Sequence, residues 1–380
     1  MPRVRVLHFA QTINRSDFID TVISRLDRER FEVQALVGLP QRRSGPYPPG
    51  VPYPIRQLGF GFSYLNLPRA LAALRREMRR FRPHVLHAHH FNENLVAAVA
   101  ARALGLKGYV IGRHYSDHIY FLTRGLKRRL FLAAESFCNR SAARILVPTA
   151  DVASILVDRQ GVPASKVVVI PFALELELMR VSAPGAPETL RTQYGLVGRY
   201  VILAACRLSV EKGLDFLLEA MPGILASNPD VRLVLLGGGP YESELRRRTQ
   251  DLGLGKVVTF VGWTDAALDW IAASDVVVQP SESESYCQVL VEALAMRKPV
   301  VMTPVGIAPD ILRAGRGGRL IPTQNTGAIV QAVEGLMKLP DLGISLAEAG
   351  RRYVLEMMDA DAVTQHHERI YGQLAAPFVV

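Results

Sequence analysis

Cysteine is scarce. The chain of 380 residues has three (Cys138, Cys206 and Cys287), spaced as neither a paired framework nor a zinc-type cluster. That excludes a disulfide-stapled scaffold and fits a reducing cytosol. No apolar run reaches the ~18 residues of a membrane-spanning helix. The opening Met1–Ala10 places basic residues before an apolar stretch, but the stretch is too short for a signal peptide and reads as a first strand. Low-complexity tracts and short repeats are missing. With 21% charged and 49% hydrophobic residues, global disorder is excluded, and the length allows two cores.

Charge is present, and unevenly. Residues 1–190 hold 27 Lys and Arg against 14 Asp and Glu, a net of +13, whereas the remainder nets −3. A first half this basic suits an anionic partner, such as a membrane surface or a lipid phosphate, or serves solubility alone. No nucleic-acid-binding module is recognisable, so nucleic acid is not expected. Arg75–Arg80 with Arg82, and Lys127–Arg129, are basic stretches on or near predicted helices. They would either rest on anionic lipid or form solvated faces.

Short apolar runs alternate with amphipathic stretches throughout, the pattern of parallel sheets with crossover helices. In the first half strands are expected at Val4–Phe9, Phe31–Val37, His84–Ala88, Gly108–Arg113, Arg144–Val147 and Val167–Ile170, with Leu39–Pro54 as a surface loop. A second series follows at Tyr200–Cys206, Arg232–Leu236, Val257–Val261, Val276–Gln279, Val300–Thr303 and Arg319–Ile321. Between the two series, Val181–Pro187 is rich in Pro and Gly and reads as a linker. The resulting expectation is two doubly wound α/β domains facing a cleft, 1–183 and 184–360. Ligands in such sheets bind beyond the carboxyl ends of the strands.

Three stretches of the second half carry chemistry. In Cys206–Gly213, Arg207 and Lys212 follow a strand, where two cations suit a diphosphate; alternatively they are solvated loop charges. In Leu236–Pro240, without the G-x-G-x-x-G dinucleotide spacing, Gly237 permits a tight turn and close approach of a ligand to the backbone; alternatively it is a simple strand-to-helix turn. In Pro280–Ala293, a polar loop leads into a helix whose free amides suit phosphate. Ser285 and Gln288 have capping-box spacing there, and Glu284 and Glu292 can accept bonds from sugar and ribose hydroxyls. The alternative is a plain helix cap with surface glutamates.

Arg207-x4-Lys212-Gly213, the Gly237–Pro240 turn and the E-x7-E pair Glu284/Glu292, in that order, resemble the retaining glycosyltransferases of family 4, which have the GT-B fold. The resemblance is close over about 199–320 and looser in the first half. It implies an enzyme moving a hexosyl-type group from a UDP- or GDP-sugar to a lipid-linked, polysaccharide or other glycan acceptor, with retention and without a metal cofactor. Position by position, Arg207 and Lys212 would contact the diphosphate, Glu284 the transferred sugar and Glu292 the ribose. Amides around Cys287, Gln288 and Val289 would meet the phosphates, and Phe260–Gly262 would hold the base. His114 would take a positioning role near the reacting sugar, or is otherwise structural. The resemblance also implies a last helix, about 361–380, packing back on the first domain.

There are departures. Ser285-Tyr-Cys-Gln288 replaces a Gly-Phe-Gly-like stretch, Gly306-Ile-Ala-Pro-Asp310 replaces Gly-Gly before Pro-Glu, Phe172-Ala173 replaces Asn-Gly, and Gln11–Ser16 replaces a glycine-rich loop. His84, His87, His89 and His90 invite a metal, but strand alternation is expected to split them between faces, so none is assigned. The competing expectations are a sugar-nucleotide epimerase or hydrolase on the same fold, and a non-catalytic assembly protein. The expected location is the cytoplasm, at the inner membrane face if the basic half binds lipid.

Overall fold

The computed structural model describes residues 2–13, 18–39, 52–115, 124–175 and 179–378. The expected loops Gln11–Ser16 and Leu39–Pro54 lie partly outside these. The chain divides into two compact units, Met1–Glu175 with Met357–Val380, and Leu176–Glu356.

The first unit is built on a seven-stranded, all-parallel sheet in the order β3-β2-β1-β4-β5-β6-β7. Its strands are β1 (Val4–Ala10), β2 (Phe31–Val37), β3 (Ile55–Gln57), β4 (Val85–His89), β5 (Tyr109–Gly112), β6 (Arg144–Val147) and β7 (Val167–Val169). Strand order reverses between β1 and β4, the switch point at which ligands enter such sheets. The strands are continuous apolar runs because helices cover both faces. Leu7 and Phe9 of β1 join one core, with Leu86 and Ala88 of β4. Val6 and Ala10 join the opposite core, with Val85 and with Tyr371 of the helix Ala360–Ala375. That last helix packs on the helix Phe18–Arg25 and on β1. Glu368 fastens it by accepting from the Asp27 amide at 2.8 Å and from Arg30 at 3.1 Å. The short edge strand β3 has no counterpart in the sequence expectation, because three half-exposed residues carry no periodic signal.

The second unit repeats the plan with six parallel strands in the order β10-β9-β8-β11-β12-β13. These are β8 (Tyr200–Ala205), β9 (Val231–Leu236), β10 (Val258–Gly262), β11 (Val276–Gln279), β12 (Val300–Met302) and β13 (Gly318–Leu320). The switch point lies between β8 and β11, which pair through Val276–Ile202 and Val277–Leu203. The Val181–Pro187 stretch belongs to this unit. Ser182 donates from its amide and its hydroxyl to the two carboxylate oxygens of Asp269, at 2.7 and 2.6 Å. Pro187 stands in the first turn of the helix Ala186–Gln193, where proline's missing N–H costs nothing. Among the described residues no helix is long and apolar enough to cross a membrane.

One ion pair is buried deep in the first unit. Arg113, just after β5, reaches Glu135 of the helix Gly125–Ser141 at 2.5 Å, and both side chains are 2% exposed or less. Gln160 donates to the other Glu135 oxygen at 2.7 Å. Removing the carboxylate strands a buried guanidinium, a change worth about 3–5 kcal/mol. Glu135→Ala is therefore expected to lower unfolding free energy by about that amount in urea titration, whereas breaking the exposed Arg297–Glu348 pair should cost under about 1 kcal/mol.

Candidate active site

At the β8–β11 switch point the second unit opens a cleft of about 720 Å³. Its walls are the segments that follow β8, β9, β10 and β11. Arg207, Lys212, Gly237, Glu284, Cys287, Gln288, Val289 and Glu292 all line it. Gly262 stands behind the wall, where its carbonyl accepts from the Gly237 amide at 2.8 Å. His114 belongs to the other unit.

After β8 the chain runs through Arg207 into a single 3-10 turn, Val210–Lys212, and then the helix Leu214–Ser227. Lys212 Nζ donates to Glu284 Oε1 at 2.8 Å, with both side chains less than 15% exposed. Burial alone would push the Lys212 ammonium down, but the Glu284 carboxylate outweighs it and holds the group above its ordinary value. The same Glu284 oxygen accepts from Ser281 Oγ at 2.9 Å. Arg207 is the exposed cation, 63% open, and is steadied by Glu211 at 2.7 Å. After β9, Gly237 adopts φ 123°, and a Cβ there would lie 2.0 Å from the Cys206 carbonyl. Only glycine brings these two strand ends so close.

The loop after β11 corrects the capping-box expectation. The helix runs Gln288–Ala295, and its N-cap is Cys287 at φ 74°, with no side-chain cap bond. Ser285 lies two residues before that N-cap, and Glu292 is one turn into the helix. Gln288 and Val289, the first two residues of that helix, line the cleft, where the first amides of a helix lack an intrahelical partner. Gln288 Nε2 donates to Glu292 Oε1 at 2.9 Å, and burial pushes the Glu292 carboxyl up. Burial likewise raises the Cys287 thiol, and Cys206 to about 11. Both thiols stay protonated near neutral pH, which argues against a cysteine nucleophile. One wall residue that the sequence reading missed is Trp263, directly after Gly262 and 56% exposed. An exposed tryptophan straight after a strand was the available signal.

The first unit carries a different set at its own switch point. Register places His8 of β1 beside His87 of β4, and His89 follows on the same face. His84 lies apart, bonded to Arg5 at 3.0 Å. Alternation thus separates His84 but leaves His87 and His89 together, joined by His8. His114 Nε2 lies 2.9 Å from His89 Nδ1, and His8 Nδ1 lies 3.1 Å from His89 Nε2. Burial pushes all these imidazoles down, His8 to about 3.

The model for "Glycosyl transferases group 1" matches residues 199–338, and that for "Glycosyltransferase Family 4" matches residues 17–178. The alpha-D-kanosaminyltransferase of Streptomyces kanamyceticus is 26% identical over 282 residues, 72% of this chain and 73% of that protein. The GDP-mannose-dependent alpha-(1-6)-phosphatidylinositol monomannoside mannosyltransferase of Mycolicibacterium smegmatis is 32% identical over 182 residues, 46% of this chain. That match spans about half the relative's length, 48%. Among solved structures, Anabaena Alr3699/HepE in complex with UDP and glucose superimposes with a TM-score of 0.79 at 20% identity, over 98% of this chain and 100% of that one. Its likeness concerns the fold. Two all-parallel switch-point units, the two family matches and the ordered Arg/Lys, glycine-turn and Glu/Glu motifs agree: the chain belongs to the family 4 glycosyltransferases, with the GT-B fold.

Proposed function

We propose that the chain transfers a sugar from a UDP- or GDP-sugar to a hydroxyl of a glycan or lipid-linked acceptor, with retention of configuration. The observation that carries this reading is the convergence of two cations, two carboxylates and a helix N-terminus on one cleft. The nucleotide complexes of the HepE relative and the GDP-mannose dependence in the mannosyltransferase's name support the donor class.

In this reading the diphosphate lies against Arg207, Lys212 and the amides of Gln288 and Val289. Cations and amide dipoles fixed before the reaction stabilise charge as the diphosphate leaves, without reorganising. Glu292 takes the ribose hydroxyls, Trp263 stacks on the base, and Glu284 holds the transferred sugar by accepting its hydroxyls. Lys212 keeps Glu284 ionised and aimed. No metal is needed to neutralise the diphosphate where two cations and a helix start already do so. A leaving phosphate oxygen takes the acceptor proton on the face where the new bond forms, which retains configuration. His114 positions the reacting groups.

The basic first unit is proposed to rest on anionic lipid. The helix Leu67–Phe81 carries Arg69, Arg75, Arg76, Arg79 and Arg80, and follows the exposed Tyr64 and Leu65. The helix Gly125–Ser141 exposes Leu126 and Leu130 beside Lys127–Arg129. Both pack on the helix Phe91–Ala103. Arginines around exposed leucines suit a headgroup boundary.

UDP, GDP, ADP and their sugar conjugates, tested by calorimetry and thermal shift, are expected to sort so that one nucleotide stabilises the protein. The gain is about 2.7 kcal/mol at a hundred times Kd, and Arg207→Ala/Lys212→Ala abolishes it. If no nucleotide stabilises the wild type, a non-catalytic descendant becomes the better account. Glu284→Gln or Lys212→Ala is expected to lower kcat by about 10²–10³ with the fold intact by circular dichroism. Donor turnover as fast without acceptor as with it would favour the epimerase or hydrolase alternative. Sedimentation with phosphatidylglycerol vesicles is expected, weakening with salt and absent with phosphatidylcholine; equal binding to both would remove the electrostatic argument.

A further inference from the structure

We propose that His8, His87 and His89 form a binding site for one zinc-class transition-metal ion inside the first unit. One nitrogen from each ring lies within 4.8 Å of the others. The sheet itself builds the set. His8 and His87 are register partners on adjacent strands, and His89 is two residues further along the same face. The rings border a partly open pocket with about 20 Å³ of accessible space, room for a single water-sized occupant.

The buried nitrogens call for such an occupant. Among the described residues, His8 Nε2 and His87 Nε2 have no hydrogen-bond partner, although both side chains are at most 2% exposed. A buried polar atom left without a partner is destabilising. The rings are also held for ligation. Tyr371 Oη lies 2.7 Å from His87 Nδ1, and His114 Nε2 lies 2.9 Å from His89 Nδ1. Outer partners of this kind leave the other nitrogen for a metal and fix the ring's direction. His89 would exchange its contact with His8 for the ion.

The chemistry of the donors selects the ion. Three imidazole nitrogens, with no carboxylate among the described wall residues, disfavour Ca²⁺ and Mg²⁺, which want oxygen, and suit Zn²⁺ with water in a fourth place. The approach is close because β5 contributes Gly112. A Cβ there would lie 2.6 Å from His114 Nε2, 2.7 Å from His89 Nδ1 and 3.0 Å from His87 Nε2. An ion here would tie β1 to β4 at the end of the sheet.

The test uses the full chain with any purification tag removed. The protein is stripped with chelator, reloaded with Zn²⁺, Mg²⁺ or Ca²⁺ alone, and desalted. Metal content, melting temperature and X-ray absorption are then measured, none of which depends on transferase activity. One equivalent of zinc is expected, held by nitrogen ligands at ~2.0–2.1 Å, with a raised melting temperature that the other ions do not give. His87→Gln is expected to lose the zinc, His84→Gln to keep it, and Tyr371→Phe to bind it about tenfold more weakly through the freed ring. Substoichiometric zinc in the wild type with an unmoved melting temperature would overturn the proposal and leave a cavity that holds water. Retention of zinc by His87→Gln would overturn it as well.

Discussion

Two loops that leave neighbouring strands must stay close enough for one ligand to touch both, and the bond from Lys212 to Glu284 holds them there. Lys212 ends the turn after β8, and Glu284 lies in the loop after β11. The carboxylate is anchored from its own side by Ser281, whose hydroxyl is also met by Gln279 Nε2 at 3.0 Å. The Ser281 carbonyl in turn accepts from Thr303 Oγ1 at 2.5 Å, just past β12. One oxygen of Glu284 thus joins the ends of β8 and β11, and Ser281 links them on to the end of β12. Both partners also line the cleft, so the ammonium can meet an anionic group and the carboxylate can accept from a hydroxyl.

The two units share a topology and differ in what they put at the reversal of strand order. In one, the strand ends carry charge and glycine and stay open to solvent. In the other, the same positions carry imidazoles, closed in by the helices Phe18–Arg25 and Ala360–Ala375. The backbone supplies the same crevice twice, and side chains decide whether it becomes a cleft or a packed cluster.

Much of this was legible in the residues. Strands buried on both faces must be continuous apolar runs, so Phe31–Val37 and Val276–Gln279 could be read directly. The cations and carboxylates of the cleft could be read because they follow such strands at short, fixed distances. Three features resisted, each for a physical reason. The helix start at Cys287 depends on a left-handed residue that is not glycine, which costs about 1–2 kcal/mol and holds only because its surroundings impose it; local pattern favoured a capping box instead. His8 and His87 meet through pairing between positions far apart in sequence, which alternation along one strand does not reveal. Residues 181–187 look like a linker by composition, yet the Ser182–Asp269 bonds draw them into a unit.

The helix Ala360–Ala375 gives the chain an unusual order of assembly. It belongs to the first unit but is separated from it in sequence by the whole of the second. During synthesis the second unit leaves the ribosome complete, while the first still lacks a piece of its core and the Tyr371 that meets His87. One face of the first sheet must wait, apolar and uncovered, until the last residues emerge. Domains usually mature in the order in which they are made; here the amino-terminal unit is necessarily the later to finish. A chain truncated before residue 360 and released would therefore keep all of the second unit and leave the first with an apolar face uncovered.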